Sequence, residues 1–127
     1  MLKEEVKTIK SIEELKERLD EINRIISEYL LPNTALFTHP IYVEIITLEG
    51  KREPRLVRLV EINDHVITII FVDGSTIVLN IDKANRNEEL RRFILNNLQM
   101  LDYLLHCFSL NVLARGRMLP GGRYVSA

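Results

Sequence analysis

The sequence predicts an α+β domain: an N-terminal helix, a four-stranded antiparallel meander and a long C-terminal amphipathic helix. Three observations predict it. A capping signal at residue 11 opens an apolar seam with helical spacing. Four β-branched runs, separated by turn residues, occupy residues 41–81. A leucine-rich stripe with a second helical spacing runs from residue 94 to 112. At 127 residues the chain has the size of one domain. Residues 1–10 read as a flexible N-terminus, 11–113 as the domain and 114–127 as a mobile basic tail.

Ser11 and Glu14 form a capping box, in which the serine hydroxyl accepts from the third helical N–H and the glutamate reaches back to the cap's own N–H. The helix then runs to about Leu30 and stops before Pro32. Its apolar positions, Ile12, Leu15, Leu19, Ile22, Ile26 and Tyr29, follow a 3-4-3-4-3 spacing, which lays one narrow seam on one surface. A loop over residues 31–40 ends at His39-Pro40. The strands are then 41–48, 55–62, 66–72 and 75–81. Asp73-Gly74 reads as a two-residue hairpin turn. That turn makes Phe71 face Thr76 and Ile70 face Ile77. Val66, Thr68, Ile70, Val72, Ile77, Leu79 and Ile81 then form the core face. Ile67, Ile69, Phe71, Thr76, Val78 and Asn80 form an open second face, with Leu56, Arg58 and Val60 beside them. Asn85 and Glu88 offer a second capping box, and the chain reads as helical from there to about Leu113. Its stripe is Ile94, Leu98, Leu101, Leu105, Phe108 and Val112. A stripe so wide on a helix so long exceeds what one small sheet covers, so these six residues are expected to form a homodimer interface.

Hydrophobic residues make up 46% and charged residues 28% of the chain, a globular composition. A single cysteine, Cys107, permits no internal disulfide and suits a reducing compartment. No run approaches the ~20 apolar residues of a membrane helix and no leader is evident. These features predict a cytoplasmic protein with no membrane partner. The net charge of −1 gives no global attraction for an anion, but its distribution is uneven. Lys51, Arg52, Arg55 and Arg58 stand against Glu53 alone in residues 51–60. Arg115, Arg117 and Arg123 have no acidic neighbour in residues 111–127.

Catalytic chemistry finds little purchase. His39, His65 and His106 lie in separate elements, and Cys107 adjoins His106 at an angle that does not favour joint chelation, so no metal site is predicted. Cys107 on a leucine-rich helix reads as a small buried hydrophobe. Ser109 lacks a glycine-flanked elbow, and Glu44 and Glu61 read as solvated strand carboxylates. The turns are not phosphate-cradling loops. No enzyme activity and no cofactor are predicted. A single-strand nucleic-acid site instead requires cations that track phosphates and aromatic rings that stack bases. Tyr42 and Phe71 supply the rings. Lys51, Arg52, Arg55 and Arg58 supply the cations, with Arg115, Arg117 and Arg123 as a second basic arm. The same open sheet face could alternatively dock a protein, as in a scaffold subunit.

The order of elements over residues 11–113, with the 94–112 stripe on the last helix, resembles that of the ThermoDBP-type archaeal single-stranded DNA-binding proteins. The resemblance implies a sheet-lined cleft that binds single-stranded DNA and a last helix that zips into a dimer. A second similarity competes with it. The strand cadence from Glu61 to Leu79 is similar to that of SH3-like and Sm-like small barrels, which implies a curled sheet. The long second strand lacks the glycine that such curling uses.

Overall fold

The computed structural model describes residues 8–116, together with the backbone of 118–119 and 123–124. The elements are α1 (Ile12–Glu28), β1 (Thr34–Ile46), β2 (Arg52–Asn63), β3 (Val66–Phe71), β4 (Thr76–Asn80), a 3₁₀ turn (Ile81–Arg86), α2 (Glu88–Asn96), α3 (Leu98–Gly116), and a two-residue pair β5 (Met118–Leu119) and β6 (Arg123–Tyr124). The four main strands form one antiparallel sheet in the order β1-β2-β3-β4. The sheet is open, so the small-barrel alternative is not the fold. Among the described residues no helix is long and apolar enough to cross a membrane.

The N-terminus of α1 forms as its sequence dictates. The Glu14 N–H donates to the Ser11 hydroxyl at 3.1 Å, while the Glu14 carboxylate accepts from the Lys10 N–H at 2.8 Å, one residue before the expected donor. The seam buries Ile12, Leu15, Leu19 and Ile22, but Tyr29 at its end is exposed. Leu30 turns left-handed at φ 53°, and the Leu31 N–H closes the helix onto the Ile26 carbonyl at 2.9 Å.

β1 begins at Thr34 rather than Ile41, so residues predicted as loop are strand. Between the Leu36–Leu59 and Ile41–Val57 pairs, β1 spends more residues than β2 and bulges through Phe37–Pro40. A bulge on an edge strand tolerates Pro40, which has no N–H to give the ladder.

The β3–β4 turn corrects the predicted faces. The Gly74 N–H donates to the Phe71 carbonyl and the Phe71 N–H to the Ser75 carbonyl, both at 2.9 Å. The loop is therefore Val72–Gly74, with Gly74 at φ 90°, a three-residue turn closed by a left-handed glycine. The pairing becomes Ile70–Thr76 and Ile69–Ile77. This one-residue slip exchanges the two faces of β3 and leaves those of β4 as predicted. Ile67, Ile69 and Phe71 are buried, whereas Val72 is exposed and Val66, Thr68 and Ile70 are half-buried on the open face. A further bulge in β2 between Val57 and Leu59 carries Val57 and Val60 both into the core. It moves Val60 off the face predicted for it and leaves Arg58 and Leu59 half-buried. Each apolar side chain so buried is worth about 1.5–3 kcal/mol, and this decides the register.

The predicted C-terminal helix is interrupted. Asn87, not Asn85, caps α2 by accepting from the Leu90 N–H at 3.1 Å. Asn97 separates α2 from α3. Ile94, Leu98, Leu101, Leu105, Phe108 and Val112 are buried in the chain's own core. The expected dimer interface is therefore corrected, because these side chains already cover the sheet and α1. The large apolar side chains α3 leaves exposed are Tyr103, Leu110 and Leu113. An Arg18–Asp102 ion pair at 3.0 Å ties α1 to α3.

α3 also guards one edge of the sheet. Asn97 accepts from the Ile46 N–H at 2.8 Å and donates to the Ile46 carbonyl at 2.9 Å. Further along, Asn111 donates to the Leu36 carbonyl at 3.3 Å and Arg115 to the Thr34 carbonyl at 2.8 Å. Side chains of the helix and of its first break thus satisfy outward-facing backbone groups of β1, a direct way to blunt a strand edge.

Candidate nucleic-acid interface

Tyr42 stands on β1 opposite Leu56, and its ring is 57% exposed. It borders two depressions. One, of about 540 Å³, is lined by Tyr42, Pro54, Arg55, Leu56, Phe71, Val72 and Asp73. The other, of about 340 Å³, is lined by Tyr42, Val43, Glu44, Ile46 and Arg52 from the sheet, and by Asn96, Asn97, Gln99, Met100 and Tyr103 from the helices. The two depressions share only Tyr42, which joins them into a discontinuous furrow. A third depression, of about 150 Å³, is lined partly by Glu14, Glu17 and Glu21, which repel an anion.

The pairing of β1 with β2 brings these side chains together. Tyr42, Glu44 and Arg52 lie within a few residues of each other across the ladder, where Arg52 faces Ile46. The Arg52 guanidinium reaches Glu44 at 3.3 Å, and the Tyr42 hydroxyl donates to the other oxygen of Glu44 at 3.3 Å. Partial desolvation, and then the charge and hydrogen bond of Glu44, raise the Tyr42 phenol above its ordinary range. Tyr42 is therefore a neutral ring at physiological pH.

Arg55 faces Val43 rather than Tyr42, so its side chain leaves β2 on the face opposite to Tyr42 and lies over the Phe71 ring with its guanidinium carbon 3.9 Å from the centroid. Its guanidinium bonds the Ser75 hydroxyl and lies 3.9 Å from Glu53 and 4.0 Å from Asp73. Asp73 is held below the usual carboxylate range, first by the Ser75 hydroxyl and backbone N–H and also by the Arg55 charge. The predicted role of Phe71 is thus corrected. Its ring is only 2% exposed, because β3 turns it into the core and Arg55 covers it. It is a support for a cation, not a surface on which a base can stack.

The remaining predicted residues divide. Lys51 is exposed in the β1–β2 turn, beside Arg52. Arg58 lies in the β2 bulge, and its guanidinium points to the Phe37 carbonyl at 3.5 Å, so it serves the bulge rather than the furrow. Arg115 is committed to the far end of β1. Arg117 lies outside the described residues, as does the side chain of Arg123. Tyr103, half exposed on α3, was not predicted. It stands off the leucine stripe, and only the break at Asn97 turns it towards β1.

The uncovered sheet face next to the furrow is mixed, with its apolar side chains concentrated in one row. One row across the strands reads Leu36, Leu59, Ile70, Thr76, and the next reads Thr34, Glu61, Thr68, Val78. Leu36, Leu56, Val72 and Val78 are exposed there. Among the described residues no group of three or more His, Cys, Asp or Glu side chains is arranged to hold a metal ion. The chain matches no protein-family model, no curated protein and no solved structure.

Proposed function

We propose that this chain is a non-catalytic module that binds single-stranded nucleic acid along the furrow centred on Tyr42. One observation carries the reading: an exposed aromatic ring stands between two depressions, each with an arginine on its wall. Single-strand sites use aromatic faces for the bases and cations for the backbone, with little regard to sequence. In this reading Tyr42 and Tyr103 stack bases, and Arg52, Arg55 and Lys51 meet phosphates. Phe71 holds the Arg55 guanidinium flat, so that less of its freedom is lost on binding. Glu44, Glu53 and Asp73 compete with phosphate for the same guanidinium groups, so binding is of modest affinity and its ionic part is small.

A second reading has its own support. Leu36, Leu56, Val72 and Val78 form an exposed apolar patch on the uncovered sheet face, and such patches mark protein contacts. An NMR titration with a short oligothymidylate separates the two. The first reading expects backbone shifts at Tyr42, Arg52, Arg55 and Tyr103, with Leu36 and Val78 unmoved. A chain whose spectrum does not change at any strand concentration leaves the docking of a protein on the apolar patch as the function.

A further inference from the structure

We propose that the free edge of β4 is a self-association site, where β4 of a second copy of this chain pairs antiparallel about a two-fold axis. The inference is independent of the furrow and rests on how differently the two sheet edges are treated. β1, at one edge, is bulged, carries Pro40 and has backbone groups satisfied by Asn97, Asn111 and Arg115. β4, at the other edge, has no bulge and no proline, and among the described residues no side chain bonds its outward backbone groups. Thr76–Asn80 contains no charge and no proline, and its pairing with β3 runs without a register shift. Native edges of this kind are normally blunted by charge, proline, a bulge or a covering element.

The direction of the unpaired groups follows from the ladder. The Phe71 N–H donates to the Ser75 carbonyl and the Ile81 N–H to the His65 carbonyl. Antiparallel pairs alternate, so Ile77 and Leu79 bond to β3, while Thr76, Val78 and Asn80 turn their N–H and C=O groups outward. Because an outward residue stands at the middle of β4, a two-fold pairing centred there engages all three outward residues at once. Val78 then exchanges both bonds with the partner's Val78, and Thr76 exchanges both with the partner's Asn80. On the open face the same register sets Val78 beside the partner's Val78 and the polar Thr76 beside the partner's polar Asn80. A second copy is therefore complementary to this edge in hydrogen bonding, in symmetry and in side-chain polarity. It would also join the two uncovered sheet faces through Val78.

The strand is short, so the interface falls below the ~1,200 Å² of standard complexes, and dissociation is expected in the range of about 10 μM to 1 mM. The test is amide hydrogen exchange by NMR at about 20 μM and about 1 mM, read beside sedimentation equilibrium. The amides of Thr76, Val78 and Asn80 should slow by about twofold to sixfold at the higher concentration, in step with the fall in the monomer fraction. Those of Ile77 and Leu79 should be slow at both. Val78→Pro removes an outward donor without touching the β3 ladder, and should give a folded monomer. Val78→Lys sets two like charges side by side across the axis and should weaken the dimer about fivefold at low salt and much less at high salt, which tests the register even if the proline variant fails to fold. A chain that stays monomeric at about 1 mM overturns the proposal. So does a dimer in which the three amides exchange as fast as in the monomer, the outcome expected if the exposed side of α3 were the contact.

Discussion

Replacing Asn97 by alanine should cost the fold more than any other polar-to-alanine change in the described residues. Asn97 is 1% exposed and is the one buried polar side chain among them. Its amide accepts from the Ile46 N–H at 2.8 Å and donates at 2.9 Å to both the Ile46 and the Phe93 carbonyls. Each such bond contributes about 1 kcal/mol net, and a buried group left without its partner costs about 1–3 kcal/mol. Water can reach part of the β1 edge once the side chain is gone, so the total is about 2–4 kcal/mol. For a domain of this size that lowers the melting temperature by about 8–15 °C. Urea unfolding followed by circular dichroism measures it, and an unchanged m-value shows that stability alone has moved. Asn97→Asp should be no better at neutral pH, because a carboxylate cannot donate to either carbonyl and carries a buried charge. A loss below about 0.5 kcal/mol for Asn97→Ala would refute the view that this residue joins the helix break to the sheet edge.

Three further outcomes follow from the same geometry. His65 lies between Asp82 at 2.8 Å and Asp20 at 2.7 Å, and its pKa is raised, chiefly by the Asp82 hydrogen bond and then by Asp20 against an opposing desolvation. A raised folded pKa gives stability that is complete below the unfolded value of about 6.5 and is lost as pH rises through the folded value. Asp82 is lowered, first by its bond to His65, so its part is lost instead as pH falls through its folded value. Thermal melts of wild type and His65→Gln should therefore differ most near pH 5.5 and converge at alkaline pH; a constant difference would remove the charge from the account. Gly74→Val should destabilise by more than about 1 kcal/mol in the same melts despite open space around the position, because φ 90° excludes a β-branched residue. Leu101→Glu buries a carboxylate in the core without a partner and should unfold the chain, as judged by circular dichroism, rather than yield a folded monomer.

The sequence made α1 legible because a cap and a seam agree there on one start and one face. The sheet was legible in its strand count and its topology, since the turn residues fall where the turns are. Its faces were not. Asp73-Gly74 serves equally as a two-residue turn and as the last two positions of a three-residue turn, and the difference of one residue turns Phe71 from surface to core. Pro40 misled for a related reason: it ends a strand in the interior of a sheet but not at an edge bulge. The break at Asn97 left no mark, because the apolar spacing from Ile94 to Leu98 and Leu101 continues through it. The tertiary bond to Ile46 makes the break, and that bond is not local. Of the candidate site, Tyr42 lines one depression with Arg52 and another with Arg55, while Arg58 and Arg115 are spent on the backbone of β1 and Tyr103 arrives from an element whose direction only the break determines.

The most direct test of the furrow is the salt dependence of single-strand binding, measured by fluorescence anisotropy for the wild type, Tyr42→Ala and the double variant Arg52→Ala/Arg55→Ala. Each lost phosphate contact should flatten the log–log slope by about 0.7, so the double variant should lose about 1.4. Tyr42→Ala should weaken binding by about 1–3 kcal/mol and leave the slope nearly unchanged, because stacking is not ionic. Binding that is absent in the wild type at low salt, or that survives all three substitutions with slope and affinity intact, contradicts the assignment of the Tyr42 furrow to nucleic acid.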